Sequence, residues 1–259
     1  MQISIIPGKL HRKRFFRRAV CVFIWICIWQ LVSFILDQQL LIPQPLNVFK
    51  AFGTLICERS FWVLSALTIS RILIGFFLAL FVGVILAILT SASSLAYDFF
   101  YPAISIIKAT PVASFIILAL FWFSTGNVPI FIAFLMVLPV IWANVLQGIR
   151  NTDPKLIEMG KIFRFSRIKV YIHIYIPSIM PYFKAAFTTG LGLAWKAGVA
   201  AEVIGRPALS IGNKLAEAKI YLESEMLFAW TIVVVIISIL LENVLVGIVN
   251  LLNDRYGRL

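Results

Sequence analysis

Long apolar stretches alternate along the chain with short polar ones, and six of them approach or exceed membrane-spanning length: 19–36, 67–91, 102–123, 128–149, 182–201 and 227–251. A hydrocarbon layer about 30 Å thick is crossed by roughly 20 residues of helix. Lipid offers no partner for backbone amides, so runs of this length predict helices. The expectation is an all-α integral membrane fold, a six-helix transmembrane bundle forming a single domain over residues 1–259. The first run follows a basic tail at 1–18, as in a secretory signal. It is about long enough to span and lacks a small-residue cleavage site, so it is expected to stay as the first helix.

Within two runs the small residues recur every fourth position. Gly75, Ala79, Gly83, Ala87 and Ser91 form one stripe, and Ala186, Gly190, Ala194 and Gly198 form the other. Such a stripe lies on one helix face and lets backbones approach closely where lipid removes the hydrophobic drive between helices. It serves either packing within one subunit or contact with a second. Pro111, Pro129 and Pro139 are expected to bend or restart the third and fourth helices, since each lacks an amide donor.

Composition supports the membrane reading. Hydrophobic residues make up 61% and charged residues 13% of the chain, with a mean hydropathy of +0.99, too little charge for a soluble surface. The net charge of +12 would suit a nucleic-acid binder. However, the basic residues lie between apolar runs, which fits the charge bias that orients spans better. Lys9, Arg12, Lys13, Arg14, Arg17 and Arg18 precede the first run. Arg150, Lys155, Lys161, Arg164, Arg167, Lys169 and Lys184 separate the fourth from the fifth, and Arg255 and Arg258 follow the sixth. The opposite side carries Lys50, Arg59, Arg206, Lys214 and Lys219, offset by Glu202, Glu217, Glu223 and Glu225. Both termini and the 150–181 segment are therefore expected in the cytoplasm. Cys21, Cys27 and Cys57 show no metal-ligand spacing, and neither a metal nor another cofactor is expected.

The polar 150–181 segment is built to fold as a helix, a turn and a second helix. Asp153 suits an N-cap and Pro154 a first turn. Leu156, Ile157, Gly160 and Phe163 then give one apolar or small face. Arg164 and Phe165 make the turn, Ser166 caps the second helix, and Pro177 is expected to end it. A segment exposing Phe163 and Phe165 should dock on a partner or lie on anionic lipid.

This segment resembles the EAA loop of bacterial ABC importer permeases: Glu158-Met159-Gly160, three residues, Arg164, and a closing Ile176-Pro177. Met159 replaces the family's first alanine, and Arg164 stands where the family usually has glycine. The stretches "LIPQPLNVFKAF", "IKATPVASFIILALFWFSTGN", "GLGLAWKAGVAAEVIG" and "SIGNKL" resemble the nitrate, sulfonate, taurine and bicarbonate branch of that family, whose relatives also carry thiamine precursors. The resemblance implies a non-catalytic subunit of a bacterial inner-membrane importer. Two permease copies would form the pathway, separate ATPase subunits would dock on the EAA loops, and an extracytoplasmic binding protein would deliver solute. Glu158, Gly160, Phe163, Arg164, Ser166, Arg167 and Pro177 are then the ATPase-coupling candidates. Independently, no G-x-x-x-x-G-K-[S/T] loop occurs to cradle ATP phosphates.

Four residues near or inside the apolar runs are pathway candidates. Lys196 in the fifth run either snorkels or pairs with a carboxylate, or supplies a cation facing an anionic solute. Glu202, four residues past Gly198, would balance a charge or face the external mouth. Lys108, just before Thr110-Pro111, and Trp195 complete the set, and Arg71 is expected to snorkel. A self-sufficient channel or secondary transporter is the rival class, disfavoured by the missing inverted repeat and the docking-type loop. An intramembrane enzyme has no motif behind it, since neither H-E-x-x-H nor G-x-S-x-G occurs.

Overall fold

The structure is a computed structural model describing residues 7–36, 38 and 40–256, with side chains described for Arg17 and, apart from 37 and 39, from 20 to 249. The basic side chains flanking the first and last runs, other than Arg17, lie outside the described residues. Among the described residues there is no strand. The chain runs as α1 (Pro7–Leu36), α2 (Pro45–Cys57), α3 (Arg59–Ala92), α4 (Ser94–Ala109), α5 (Val112–Trp122) and α6 (Val128–Arg150). It continues as α7 (Pro154–Ile162), α8 (Arg167–Val170), a π-helical turn (Tyr171–Tyr175), α9 (Ile176–Gly205), α10 (Ile211–Ile220) and α11 (Ser224–Tyr256).

Three of these helices are long and apolar enough to cross a membrane: α3, α6 and the Ser224–Val249 part of α11. The 102–123 run is not one straight helix. It breaks between α4 and α5 with a bend of 108°, and counts as a fourth span only if the bent pair is taken together. The cause is local. Pro111 offers no amide and disfavours a helical residue before it, so Thr110 is extended (φ −83°, ψ 131°). Pro129, by contrast, sits harmlessly in the first turn of α6, and Pro139 lies inside α6 without ending it. The apolar part of α1 described here, Val20–Leu36, is shorter than a span. The 30 residues of α9 are long enough but carry Lys184, Lys196 and Glu202 among glycines and threonines.

Pro177 does not terminate the second helix of the polar segment. α8 passes through the π turn into α9 without leaving helical dihedrals, with the Ile176 amide donating to Tyr171 C=O. The wider i→i+5 turn takes up the register just before a residue that cannot donate. α8, the π turn and α9 are thus one continuous rod, and the turn at 163–166 joins α7 to it.

α6 lies at the centre, with α3 and α9 against it. The small residues set these distances. A Cβ on Gly75 would strike the carbonyl of Ile130 and the Ala133 side chain, and one on Gly83 would sit 2.9 Å from Ile141 Cβ. On α9, Gly190 faces Val137 and Phe76, and Gly198 faces Ile72. Ala79, Ala87, Ala186 and Ala194 are fully buried in the same core with Phe76, Ile141 and Phe187. α2 and α10 cover one end of the bundle against α11, through Val48, Ile211 and Trp230.

Candidate functional site

The polar segment is anchored at both ends. Asn151 Nδ2 donates to Tyr182 Oη (2.9 Å), joining the end of α6 to the start of α9. Gly148 lets Tyr182 and the Ile179 backbone pack at 3.1–3.2 Å from where its Cβ would be. The Arg150 guanidinium lies over Tyr97, 4.7 Å from the ring centroid, which adds α4 to the same junction. The junction that precedes α7 thus joins α4, α6 and α9.

α7 starts where Asp153 Oδ1 accepts from the Lys155 amide (2.9 Å), with Pro154 in the first turn. Its last turn closes as a Schellman motif: the Phe165 amide donates to Gly160 C=O (2.8 Å) and the Arg164 amide to Lys161 C=O (3.0 Å). The motif requires a left-handed residue, and Arg164 takes that place with φ 53°. The position where the family pattern has glycine thus keeps glycine's conformation while carrying a side chain. Gly160 is buried beneath Ile174 and Val170, holding α7 against the π turn. Ser166 Oγ accepts from the Lys169 amide (3.4 Å) and opens α8, beside Arg167. Pro177 sits in the first turn of α9.

The outer face of this unit is apolar and uncovered. Ile162 is 78%, Phe163 68% and Ile168 70% exposed, with Leu156, Met159 and Tyr171 around them. Exposed Glu158, Lys161, Arg164 and Arg167 surround that patch, and Glu158 forms no ion pair among the described residues. An exposed apolar patch rimmed by charges is the composition of a protein-docking surface.

The four interior candidates occupy different surroundings. Lys108 lines a cleft of about 370 Å³ at the α4–α5 break, walled by Met136, Pro139 and Val140, and its Nζ stands 5.7 Å from the Trp142 ring centroid. Lys196 is exposed on α9, on the face of Thr189 and Leu193, and makes no ion pair among the described residues. Trp195, its neighbour, is buried and donates from Nε1 to Val234 C=O (3.1 Å), pinning α9 to α11. Glu202 is fully enclosed. It accepts from Thr68 Oγ1 (2.9 Å), the Gly212 amide (3.2 Å) and Arg71 Nη1 (3.4 Å), and Arg71 also donates to Leu209 C=O (3.1 Å). Six residues of helix set Lys196 and Glu202 about 120° apart around α9, so the two charges lie on different faces.

Sequence reasoning missed the Arg71–Glu202 pair, having Arg71 reach outward along the interface. A signal was available in the shared apolar context of an unpaired arginine on α3 and an unpaired glutamate on α9. Which helices meet is set by the glycine contacts, and those become visible only once the bundle is assembled.

Comparison with known proteins shows the family. The pattern of the family described as "Binding-protein-dependent transport system inner membrane component" matches residues 75–258. An Escherichia coli chain described as an aliphatic sulfonates transport permease protein is 30% identical over 204 residues, covering 78% of this chain and 77% of its own. The taurine transport system permease protein of the same organism is 24% identical over 92% of both chains. A nitrate import permease protein of Synechococcus elongatus is 28% identical over 74% of this chain and 72% of its own. The chain belongs to the binding-protein-dependent inner membrane components and is a non-catalytic permease subunit of an ABC importer, in the nitrate, sulfonate and taurine branch.

Proposed function

We propose that two copies of this chain form a pathway for a small anion, nitrate-, sulfonate- or taurine-like, or for a molecule resembling a thiamine precursor, and that the exposed apolar face of α7 receives the ATPase. The observation that carries the reading is the uncovered Ile162, Phe163 and Ile168 patch, which Gly160 holds against the rod that runs into α9. Closure of an ATPase pair would push α7, and the rod of α8, the π turn and α9 would pass that motion to the bundle core. Glu158 gives the contact a charge and Phe163 an apolar anchor.

The pathway lies on the face of α9 that carries Thr189, Gly192, Leu193 and Lys196, where Gly192 has no atom within 4 Å of its Cβ position. A second copy covers that face in a homodimer. Lys196 and Lys108 present cations to the solute. Glu202 and Trp195 hold the helices rather than meet it, because one is enclosed by hydrogen bonds and the other is packed on α11. All six apolar runs cross the inner membrane, the bent α4–α5 pair and α9 included, with both termini and α7 in the cytoplasm. α2 and α10 then face the extracytoplasmic binding protein. Basic residues around α7 support that orientation.

Uptake in proteoliposomes containing the permease, its ATPase and its binding protein tests this reading. Lys196→Met is expected to slow an anionic solute far more than a neutral one. Transport by the permease alone would favour the channel class instead.

A further inference from the structure

α3 and α11 diverge to leave a slot of about 420 Å³ beneath the last turn of α2. Trp62, Ala66 and Ile69 line one side, and Ile237, Leu240 and Val244 line the other. Along α11 the slot extends from Val233 to Val244, roughly 16 Å of helix. Its lining is apolar with a single exception. Ser65, 6% exposed, has a buried hydroxyl without any hydrogen-bond partner. The indole of Trp62 is already satisfied, donating to Ile56 C=O (3.0 Å).

A buried hydroxyl in an apolar wall is costly unless something accepts from it. Both walls belong to helices apolar enough to cross a membrane, so the slot opens at a depth where the solvent is lipid rather than water. An acyl chain, narrow and apolar, matches a slot of this length and lining. Arg59 stands on the stripe of Trp62 and Ala66, nearer the start of α3 and about 9 Å along the axis from Ser65. It is exposed and forms no ion pair among the described residues, while adjacent Glu58 accepts from Ser60 Oγ (2.9 Å).

We propose that this slot is a site for one membrane glycerophospholipid. Its acyl chain lies between α3 and α11, an ester carbonyl accepts from Ser65 Oγ, and its phosphate is drawn to Arg59. The cation, the donor and the apolar slot follow the order of phosphate, ester and chain in such a lipid. The inference rests on α3 and α11 lying in the bilayer and not on which solute is carried.

The test uses the full chain with its ATPase in nanodiscs of phosphatidylethanolamine and phosphatidylglycerol, doped with phosphatidylglycerol bearing a diazirine on one acyl chain. After photolysis, adducts mapped by peptide mass spectrometry should concentrate on 62–69 and 237–244, well above exposed Phe77 and Phe81. Ala66→Trp, which fills the slot, should abolish the excess. Ser65→Ala, which leaves the packing in place, should lower it about fivefold, the loss expected for one hydrogen bond; Arg59→Gln should also lower it. Labelling no stronger than at Phe77 and Phe81, or labelling indifferent to both Ser65→Ala and Arg59→Gln, overturns the proposal.

Discussion

Arg71 Nη1 lies 3.4 Å from Glu202 Oε1 and so ties α3 to α9 at the end of the bundle that α10 covers. The carboxylate is fully buried and the guanidinium side chain 17% exposed. Thr68 reinforces the junction by donating to Glu202 while accepting from the Ile211 amide (3.1 Å), so α10 is held by the same cluster. A side chain at position 212 would collide with Glu202 itself, which explains why the chain places glycine there.

Removing one member of such a pair strands the other in a low-dielectric site. Arg71→Met should destabilise the purified complex by about 3 kcal/mol, and Arg71→Met with Glu202→Gln should recover a good part of that. Thermal unfolding of the four proteins in a double-mutant cycle measures it. Additive effects of the two substitutions would show that the pair does not couple.

Arg164 makes a second prediction, with the opposite sign. A non-glycine residue in the left-handed region is disfavoured by about 1 kcal/mol, so Arg164→Gly should be neutral or stabilising by up to that amount, and Arg164→Val should destabilise. Differential scanning of detergent-solubilised protein distinguishes them. A marked loss on Arg164→Gly would mean that the side chain, not the turn, is what this position contributes.

Two glycines separate close packing from helix propensity. At Gly75 the obstacle to a side chain is the backbone carbonyl of Ile130, which cannot rotate away. Gly75→Val should cost several kcal/mol, on the order of the larger overpacking penalties, while membrane insertion persists. Gly53, in α2, has nothing within 4 Å of its Cβ position. There Gly53→Ala should gain roughly 0.5–1 kcal/mol. Yields of folded protein by size exclusion and melting temperatures report both.

Much of this architecture was legible in the order of residues. Asp153-Pro154 marked the start of α7, Ser166 the start of α8, and Pro111 the break in the third run, because capping and proline geometry act within a few residues. The stripes at Gly75 and Gly190 were visible as periodicity, but which helix lay against them was not. Two features escaped for related reasons. Pro177 reads as a helix stop in isolation, yet a π turn upstream absorbs its missing donor. Glu202 reads either as a charge-balancing or as a mouth residue from its place near the end of a run, and its partners, from α3 and the amide of Gly212, appear only in the fold. Both depend on neighbours fixed only by the folded chain.

The account turns on α7 being the part of the permease that a separate ATPase grips. The most direct measurement is co-purification of that ATPase with Glu158→Ala/Phe163→Ala, alongside ATP-dependent uptake in proteoliposomes. The account predicts normal membrane insertion and permease yield, with ATPase association and uptake both lost. A double variant that retained its ATPase and transported at the wild-type rate would contradict it.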